Sequence, residues 1–422
     1  MAIGLGIIAD DYTGGLMIAT YMEQAGIACA YIVDPSALAD LGDREVVIFA
    51  TRARFLPAKE AVALVDSLTD ALAAAGCRQI FYKFCASFDS TDEGNIGPCA
   101  DLLAAKYGLP QLLIGPGFPD FRVTVFQGYL FYRDRLVSES IKRYDPITPM
   151  TDPDLVRVLE RQTREKVGLL RHAVLHKGAA AARADLAASH EDGARYIIGD
   201  CVDNDDVGVL AELAEGRPAL MGADALCIAL AIRYHQRDSF GLARTKLEPA
   251  RHAEGPGAVL VGSVGPITMA QLATFEGSHP VLRLDLLDPR SEEDVIAAAL
   301  AWADPLVGKT PMAVTTACET EGVEAIQAKL GILGAARKAE RLLASVAAGL
   351  RDRGVNRFVV AGGETSGAVV SALGIESARI VPSPQPGFGY IISDGPERMS
   401  LFLKPGKVGA DDVFLTALAG ME

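Results

Sequence analysis

The chain has no excess of positive charge: 40 Lys and Arg stand against 54 Asp and Glu, a formal charge of −14. That balance argues against nucleic acid or an anionic membrane as the main partner, so any anionic ligand must be held by a local site. Cysteine is sparse and unpatterned. The seven, Cys29, Cys77, Cys85, Cys99, Cys201, Cys227 and Cys318, are odd in number and never in C-x-x-C spacing. Neither a disulfide framework nor a thiolate zinc site is indicated, and a reducing compartment fits best. The six histidines carry no H-E-x-x-H spacing, and His172 and His176, four apart, read as solvated. No uncharged apolar stretch approaches the roughly 20 residues that span a bilayer. The N-terminal run is broken at Asp10 and Asp11 and lacks a basic n-region, so it reads as a buried strand and not as a signal peptide. A soluble, cytoplasmic protein is expected.

What the chain does have is an ordinary globular balance, 50% hydrophobic, 22% charged and 6% aromatic, over 422 residues. That length predicts two lobes. Short apolar runs alternate with Ala/Leu-rich helical stretches, the pattern of βα units around a mostly parallel sheet. Strands are predicted over 5–9, 46–50, 79–83, 110–115, 196–199 and 219–221, with helices near 14–25, 58–74 and 98–106. Residues 129–154 read as irregular, 155–163 as helical, and the Ala-rich 178–189 as a surface helix. Residues 239–257 are polar and broken by Gly and Pro, the best linker candidate. The same alternation resumes with strands over 258–262, 280–285, 311–316, 357–361, 378–382 and 400–403, and helices over 291–303, 331–353 and 366–373. The fold class is therefore α/β in two domains, each a mostly parallel sheet flanked by helices: 1–238, a linker over 239–257, and 258–422.

Ligands of open α/β sheets bind at the carboxyl ends of strands, and five turns there carry suitable residues. Asp10-Asp11-Tyr12-Thr13-Gly14-Gly15 brings two carboxylates to a Gly-rich helix start. The pair can bind sugar hydroxyls, hold Mg²⁺ through water or act as a base, the plain alternative being that Asp11 or Thr13 caps the helix. The loop from Lys83 to Gly97, with Asp89, Ser90, Thr91, Gly94 and Asn95, suits a polyol or carboxylate, or is simply a long capped loop. Gly262-Ser263-Val264-Gly265-Pro266 can cradle phosphate on a helix N-terminus or merely connect. Gly362-Gly363-Glu364-Thr365-Ser366-Gly367 is the sharpest, combining glycines, hydroxyls and a helix start. Lys404-Pro405-Gly406-Lys407-Val408-Gly409 sets a cation before a Gly-rich turn.

Two look-alikes are set aside. Residues 303–310 fit a permissive P-loop pattern, yet a helix precedes and a strand follows, the reverse of what that motif requires. Gly4-Leu5-Gly6 lacks the third glycine of a dinucleotide fingerprint and lies before its strand, which disfavours a dehydrogenase.

Together these motifs resemble the four-carbon acid sugar kinase family, most closely its 3-oxo-tetronate kinase branch. The collinear matches include Ile8-Ala9-Asp10-Asp11 with Thr13-Gly14, Lys83-Phe84-Cys85, Phe88-Asp89-Ser90-Thr91, Gly94-Asn95-Ile96-Gly97-Pro98, Gln127-Gly128-Tyr129-Leu130-Phe131, Pro149-Met150-Thr151-Asp152, Gly262-Ser263, the Gly362–Gly367 turn, and Lys404 with Gly406 and Gly409. The resemblance implies an N-terminal sugar-acid-binding domain, a C-terminal nucleotide-binding domain and an active site in the cleft between them. It implies ATP-dependent phosphorylation of a four-carbon sugar acid in carbohydrate metabolism, with ATP and Mg²⁺ as cofactors, sugar acid and ATP as partners, and a homodimer as an option.

The family's nucleotide contacts fall on Ser263, Gly362, Gly363, Glu364, Thr365 and Gly406. Its acceptor half falls on Asp10 and Asp11 as catalytic residues and on Asp89, Ser90, Thr91, Gly94, Asn95 and Arg122 as substrate contacts; no residue is assigned to a metal. In that half the chain departs from the family pattern. Met17 stands for an Asp, Glu93 for a cation, Phe121-Arg122-Val123 for Asn-Gly-Arg, and Ala223-Asp224-Ala225 for Gly-Ser-Gly. An intact nucleotide half beside an altered acceptor half leaves a second reading, a nucleotide-binding sensor or inactive paralogue.

Overall fold

The computed structural model of the protein describes residues 3–41, 44–145, 147–237, 251–318, 320–382, 388–395, 397–406 and 408–422. It divides into two units, Met1–Ala30 with Leu38–Lys246, and Tyr31–Ala37 with Leu247–Glu422. Residues 239–250 of the proposed linker, and Lys407, lie outside the described residues.

The chain begins β1 (Leu5–Ala9), α1 (Tyr12–Gln24), β2 (Cys29–Ile32), β3 (Val46–Ala50), α2 (Ala58–Ala74), β4 (Gln79–Lys83), α3 (Ile96–Lys106) and β5 (Leu112–Gly115). It continues β6 (Val123–Phe126), β7 (Tyr129–Tyr132), β8 (Arg135–Leu136), α4 (Leu155–Glu160), β9 (Val167–Leu170), α5 (His172–Leu175), α6 (Ala179–Glu191), β10 (Tyr196–Gly199), α7 (Asn204–Ala214), β11 (Ala219–Gly222) and α8 (Asp224–Gln236). In the first unit seven strands pair in the order β3-β1-β4-β11-β5-β10-β9, and every described pairing among them is parallel. Such strands are covered on both faces, which is why they read as unbroken apolar runs. All five residues of β1 are buried, and Leu5, Ile7, Ile8 and Ala9 are 0% exposed.

The second unit runs β12 (Gly257–Val261), α9 (Pro266–Glu276), β13 (Val281–Arg283), α10 (Glu292–Ala303), β14 (Met312–Thr315), α11 (Thr320–Leu330), α12 (Ile332–Arg351), β15 (Arg357–Ala361), α13 (Gly363–Ala372), β16 (Ser377–Pro382), β17 (Gly389–Ser393), β18 (Ser400–Lys404) and α14 (Val413–Ala419). Strands β13-β14-β12-β15-β18 are parallel. β17 and β16 then add antiparallel, and among the described residues no helix crosses over between β16, β17 and β18 to restore the direction. Tyr31 and Ile32 pair with Ala378 and Ser377 of β16, which is how a short early segment joins this unit. On α12, Leu342, Leu343, Val346, Ala347 and Leu350 are all 0% exposed, the stripe of a helix that covers a sheet.

Three expectations change. The stretch read as irregular, 129–154, holds β7 and β8 of a meander whose β6 lies just before it, and the β6–β7 turn has positive φ at Gln127 (53°) and Gly128 (79°), the requirement of a type I′ hairpin. The quoted Gln127-Gly128 match is thus a turn motif. β2, β9 and β17 were not anticipated from the pattern. His172 is partly exposed but not free: its Nδ1 lies 2.9 Å from Asp206 Oδ2, while His176 is exposed as read. The 303–310 stretch does join α10 to β14, as read.

Asp200 fastens the meander to the sheet. Fully buried, its carboxylate accepts the backbone N–H groups of Gln127 (3.0 Å), Gly128 (2.9 Å) and His172 (2.8 Å). Asp200→Ala strands all three donors and should cost about 2–4 kcal/mol, read by urea unfolding; unchanged stability would mean that this anchor is not needed.

Candidate active site

The first cluster is built on adjacent strand ends. Asp10 and Asp11 follow β1, Lys83 ends β4, Arg54 sits on the single 3₁₀ turn Ala53–Phe55 after β3, and Asp224 opens α8 after β11. Backbone bonds stitch these ends together: Asp10 N–H donates to Lys83 O (2.9 Å), Arg54 N–H to Asp10 O (3.0 Å) and Phe84 N–H to Gly222 O (3.0 Å). Arg54 then donates Nε and Nη2 to the two oxygens of Asp10 (2.8 and 2.9 Å) and Nη2 also to Asp11 Oδ1 (2.7 Å). Lys83 Nζ lies 3.3 Å from Asp224, 3.9 Å from Asp11 and 4.0 Å from Asp10. All but Arg54 are buried, and Arg54 is 15% exposed at its side chain.

Of the two roles weighed for the first turn, the cap falls to Asp11. Asp11 caps α1, accepting Gly14 N–H at 3.1 Å and the Thr13 hydroxyl at 2.6 Å, and is also part of the charged cluster. Gly14 must be glycine, since a Cβ there would collide with Lys83 Nζ and Asp11 Oδ1. Burial works against the charge on Asp11, yet Arg54 and Lys83 hold its carboxyl below the usual range. Burial likewise opposes the Lys83 charge, but Asp224, Asp10 and Asp11 raise it above an ordinary lysine. For Asp224 burial prevails and pushes its carboxyl up.

The Lys83–Gly97 loop divides its work. Asp89 is buried and accepts Lys142 Nζ on both oxygens (2.9 and 2.6 Å) and the Ser87 hydroxyl (2.8 Å). Asn95 spends its side-chain amide on the carbonyls of Ala53 (2.7 Å), Leu56 (3.1 Å) and Arg54 (3.3 Å), so it positions the turn that carries Arg54. Gln162 donates to Ser90 Oγ (2.8 Å) and Thr91 O (2.7 Å) and accepts Gly97 N–H (3.0 Å); Gly94 packs against the same Ser90 and Gln162 side chains. Arg122, left-handed at φ 56°, is exposed and paired with Asp134; none of its described contacts is with the Asp10–Asp11 cluster. Glu93 is exposed.

In the second unit, the ends of β12, β15 and β18 converge. Gly362, at φ 125°, caps α13, its N–H donates to Lys404 O (2.9 Å), and Ser263 N–H donates to Ala361 O (3.3 Å). A Cβ on Gly406 would collide with Ser263 Oγ, while the Thr268 hydroxyl donates to Gly406 O (2.7 Å) and lies 3.3 Å from Ser263 Oγ. Gln271 donates to the carbonyls of Val408, Gly409 and Ala410 (3.2, 3.1 and 3.0 Å), holding the loop after β18. Thr365 is buried beside Gly362, and Gly363 and Glu364 are half-buried. The Ser366 hydroxyl, expected as a donor to a ligand, is instead spent on Gly362 O (2.8 Å).

Arg54, Asp224, Lys142 and Gln162 were not singled out as site residues from the sequence, whereas Thr268 and Gln271 were noted on the helix that follows the Gly262–Pro266 turn. Asp224 carried a signal as the unusual residue after β11; Arg54, Lys142 and Gln162 lie on elements whose proximity only the fold reveals. Among the described residues no group of three or more His, Cys, Asp or Glu could hold a metal ion.

The arrangement matches known families. A sugar-binding N-terminal domain model matches residues 5–230 and a nucleotide-binding C-terminal domain model residues 258–414. The chain belongs to the four-carbon acid sugar kinase family. Among relatives, 3-oxo-tetronate kinase of Burkholderia multivorans is 38% identical, with 99% of this chain and 97% of that one covered. The protein of the same name from Cupriavidus necator is 39% identical, covering 98% and 96%. A solved structure from Salmonella typhimurium LT2, described as a putative tRNA synthase, is 31% identical and superposes at a TM-score of 0.84, covering 99% of this chain and all of that one. No helix among the described residues is long and apolar enough to cross a membrane.

The Asp89–Lys142 pair gives a pH test. Burial opposes the charge on Asp89, but Lys142 and Arg54 hold it well below the usual carboxylate range, so the pair's contribution is complete above about pH 4 and is lost as pH falls further. Lys142→Met leaves a buried carboxylate uncompensated and should cost about 3–5 kcal/mol at neutral pH. That carboxylate then protonates more readily, so the gap to wild type should narrow between pH 7 and about 4. Melting curves across that range would show a pH-independent gap if the pair were not the cause.

Proposed function

We propose that the chain is an ATP-dependent kinase that phosphorylates a hydroxyl of a small sugar acid, with 3-oxo-tetronate, the acceptor in its relatives' names, as the leading substrate. One observation carries the reading: a chain related to such kinases over nearly its whole length offers buried carboxylates at strand ends in one unit and glycine-hydroxyl turns in the other. Asp10 and Asp11 orient the acceptor hydroxyl and take its proton as its oxygen bonds to the γ-phosphorus and the bond to the ADP oxygen breaks. Arg54 holds both carboxylates in place through its three hydrogen bonds, so they are preorganised for that task. Asp89, Ser90, Thr91, Gly94 and Asn95 shape the acceptor side, and Arg122 is the cation proposed for the acid's carboxylate. Ser263, Gly362, Gly363, Glu364, Thr365 and Gly406 hold the nucleotide, whose phosphates sit at the N-termini of α9 and α13. With no cluster of metal ligands of its own among the described residues, the protein would receive Mg²⁺ with the nucleotide, where the ion neutralises phosphate charge.

Asp11→Asn should leave ATP affinity unchanged and lower kcat by about 10²–10⁴-fold. Gly14→Ala should also be damaging, although alanine favours a helix by up to about 1 kcal/mol, because its methyl displaces Lys83 and Asp11. An ADP-release assay with 3-oxo-tetronate, erythronate and threonate reads both. A wild-type protein that binds ATP but turns over none of these acids would favour the sensor reading.

A further inference from the structure

Lys404 ends β18 with a side chain that is 0% exposed, and its Nζ has no hydrogen-bond partner among the described residues. The two comparable buried lysines are both paired, Lys83 with Asp224 at 3.3 Å and Lys142 with Asp89 at 2.6 Å. Beside Lys404 Nζ there is instead the Phe414 ring, 5.8 Å away. A cation–π contact offsets only part of the cost of removing an ammonium from water. The imbalance calls for an anion.

The fold places that vacancy of charge among anion-binding features. Lys404 pairs in register with Ala361, its own carbonyl accepts the N–H of Gly362, and Gly406 lies two residues on. Since partners across a ladder share a face, its side chain lies on the side of Ala361, Phe402 and Phe414, which form one cluster with Leu272 and Phe275 of α9. The N-termini of α13 and α9, helices of 10 and 11 residues, follow the ends of β15, which pairs with β18, and of β12, the next strand over.

We propose that Lys404 is a nucleotide-binding residue, its Nζ taking a phosphate oxygen of ATP as counter-ion. The inference rests on the kinase reading and adds a residue to its nucleotide site. It has a consequence in protons. Burial alone lowers the Lys404 pKa to about 8, and a bound phosphate favours the charged form and raises it. Near and above pH 8 the empty site is therefore partly neutral and must take up a proton when ATP binds, so affinity falls as pH rises past 8; well below pH 8 the ammonium is already formed and no proton is taken up.

The test is titration calorimetry of the full chain with a non-hydrolysable ATP analogue and with adenosine, at pH 8, in buffers of different ionisation enthalpy. Wild type should take up a measurable fraction of a proton per analogue bound and none with adenosine. Lys404→Met should weaken the analogue by roughly 10-fold or more, leave adenosine unchanged and abolish the uptake, while its melting temperature stays level or rises because an uncompensated buried charge is gone. Lys404→Arg should retain analogue binding without proton uptake, since guanidinium does not titrate there. Unchanged analogue affinity and unchanged uptake in Lys404→Met would overturn the assignment. Failure of wild type to bind any ATP analogue would instead remove the nucleotide reading on which it stands.

Discussion

Two cations and three carboxylates share the buried cluster at the ends of β1, β4 and the start of α8, and the acceptor half of the protein depends on their mutual neutralisation. None of them is tolerable alone at that depth. Losing one member of a buried pair costs about 3–5 kcal/mol because the other charge stays behind, so Arg54, Lys83 and the aspartates stand or fall together. With three carboxylates against two cations the cluster keeps one surplus negative charge. A hydroxyl, which can donate to a carboxylate, therefore suits its mouth better than the carboxylate end of an acid does. The acid end must find its cation elsewhere, and both Lys142 and Arg122 are already paired in this structure.

The second unit solves a different problem. Polyphosphate needs backbone N–H groups and helix N-termini brought close to it. Here hydroxyls fill the space that side chains on glycines would have occupied, as Ser263 does against Gly406, and Gln271 ties down the loop that follows. The charge logic differs as well. The first unit balances each buried cation internally, whereas Lys404 is left unbalanced, which is what a site for a multiply charged anion requires.

Much of this was legible in the sequence, and the reasons are physical. Buried parallel strands are unbroken apolar runs, so 5–9, 46–50, 79–83, 196–199 and 357–361 were found to the residue. The glycine turns after strands were legible because local backbone geometry restricts residue choice. Long-range pairing leaves no such trace. Nothing near Arg54 announces that it will grip Asp10, 44 residues earlier, and nothing near Lys142 announces Asp89. The same holds for Asn95, whose motif position suggested substrate contact while its side-chain amide is occupied by the Ala53–Leu56 backbone. Residues 129–136 were read as irregular, and β6 before them was not anticipated, because the strands of this meander are two to four residues long and turn on a two-residue loop. The antiparallel β16–β18 arrangement could not be told from βα repetition by strand composition alone.

The central claim is that this chain moves a phosphoryl group from ATP to the hydroxyl of a sugar acid, and phosphorus NMR of a reaction with Mg²⁺, ATP and 3-oxo-tetronate observes that transfer itself. The account predicts a new phosphate monoester resonance growing in step with ADP, with little inorganic phosphate. ADP matched only by inorganic phosphate, or no change in the spectrum of a protein shown to bind ATP, would contradict it.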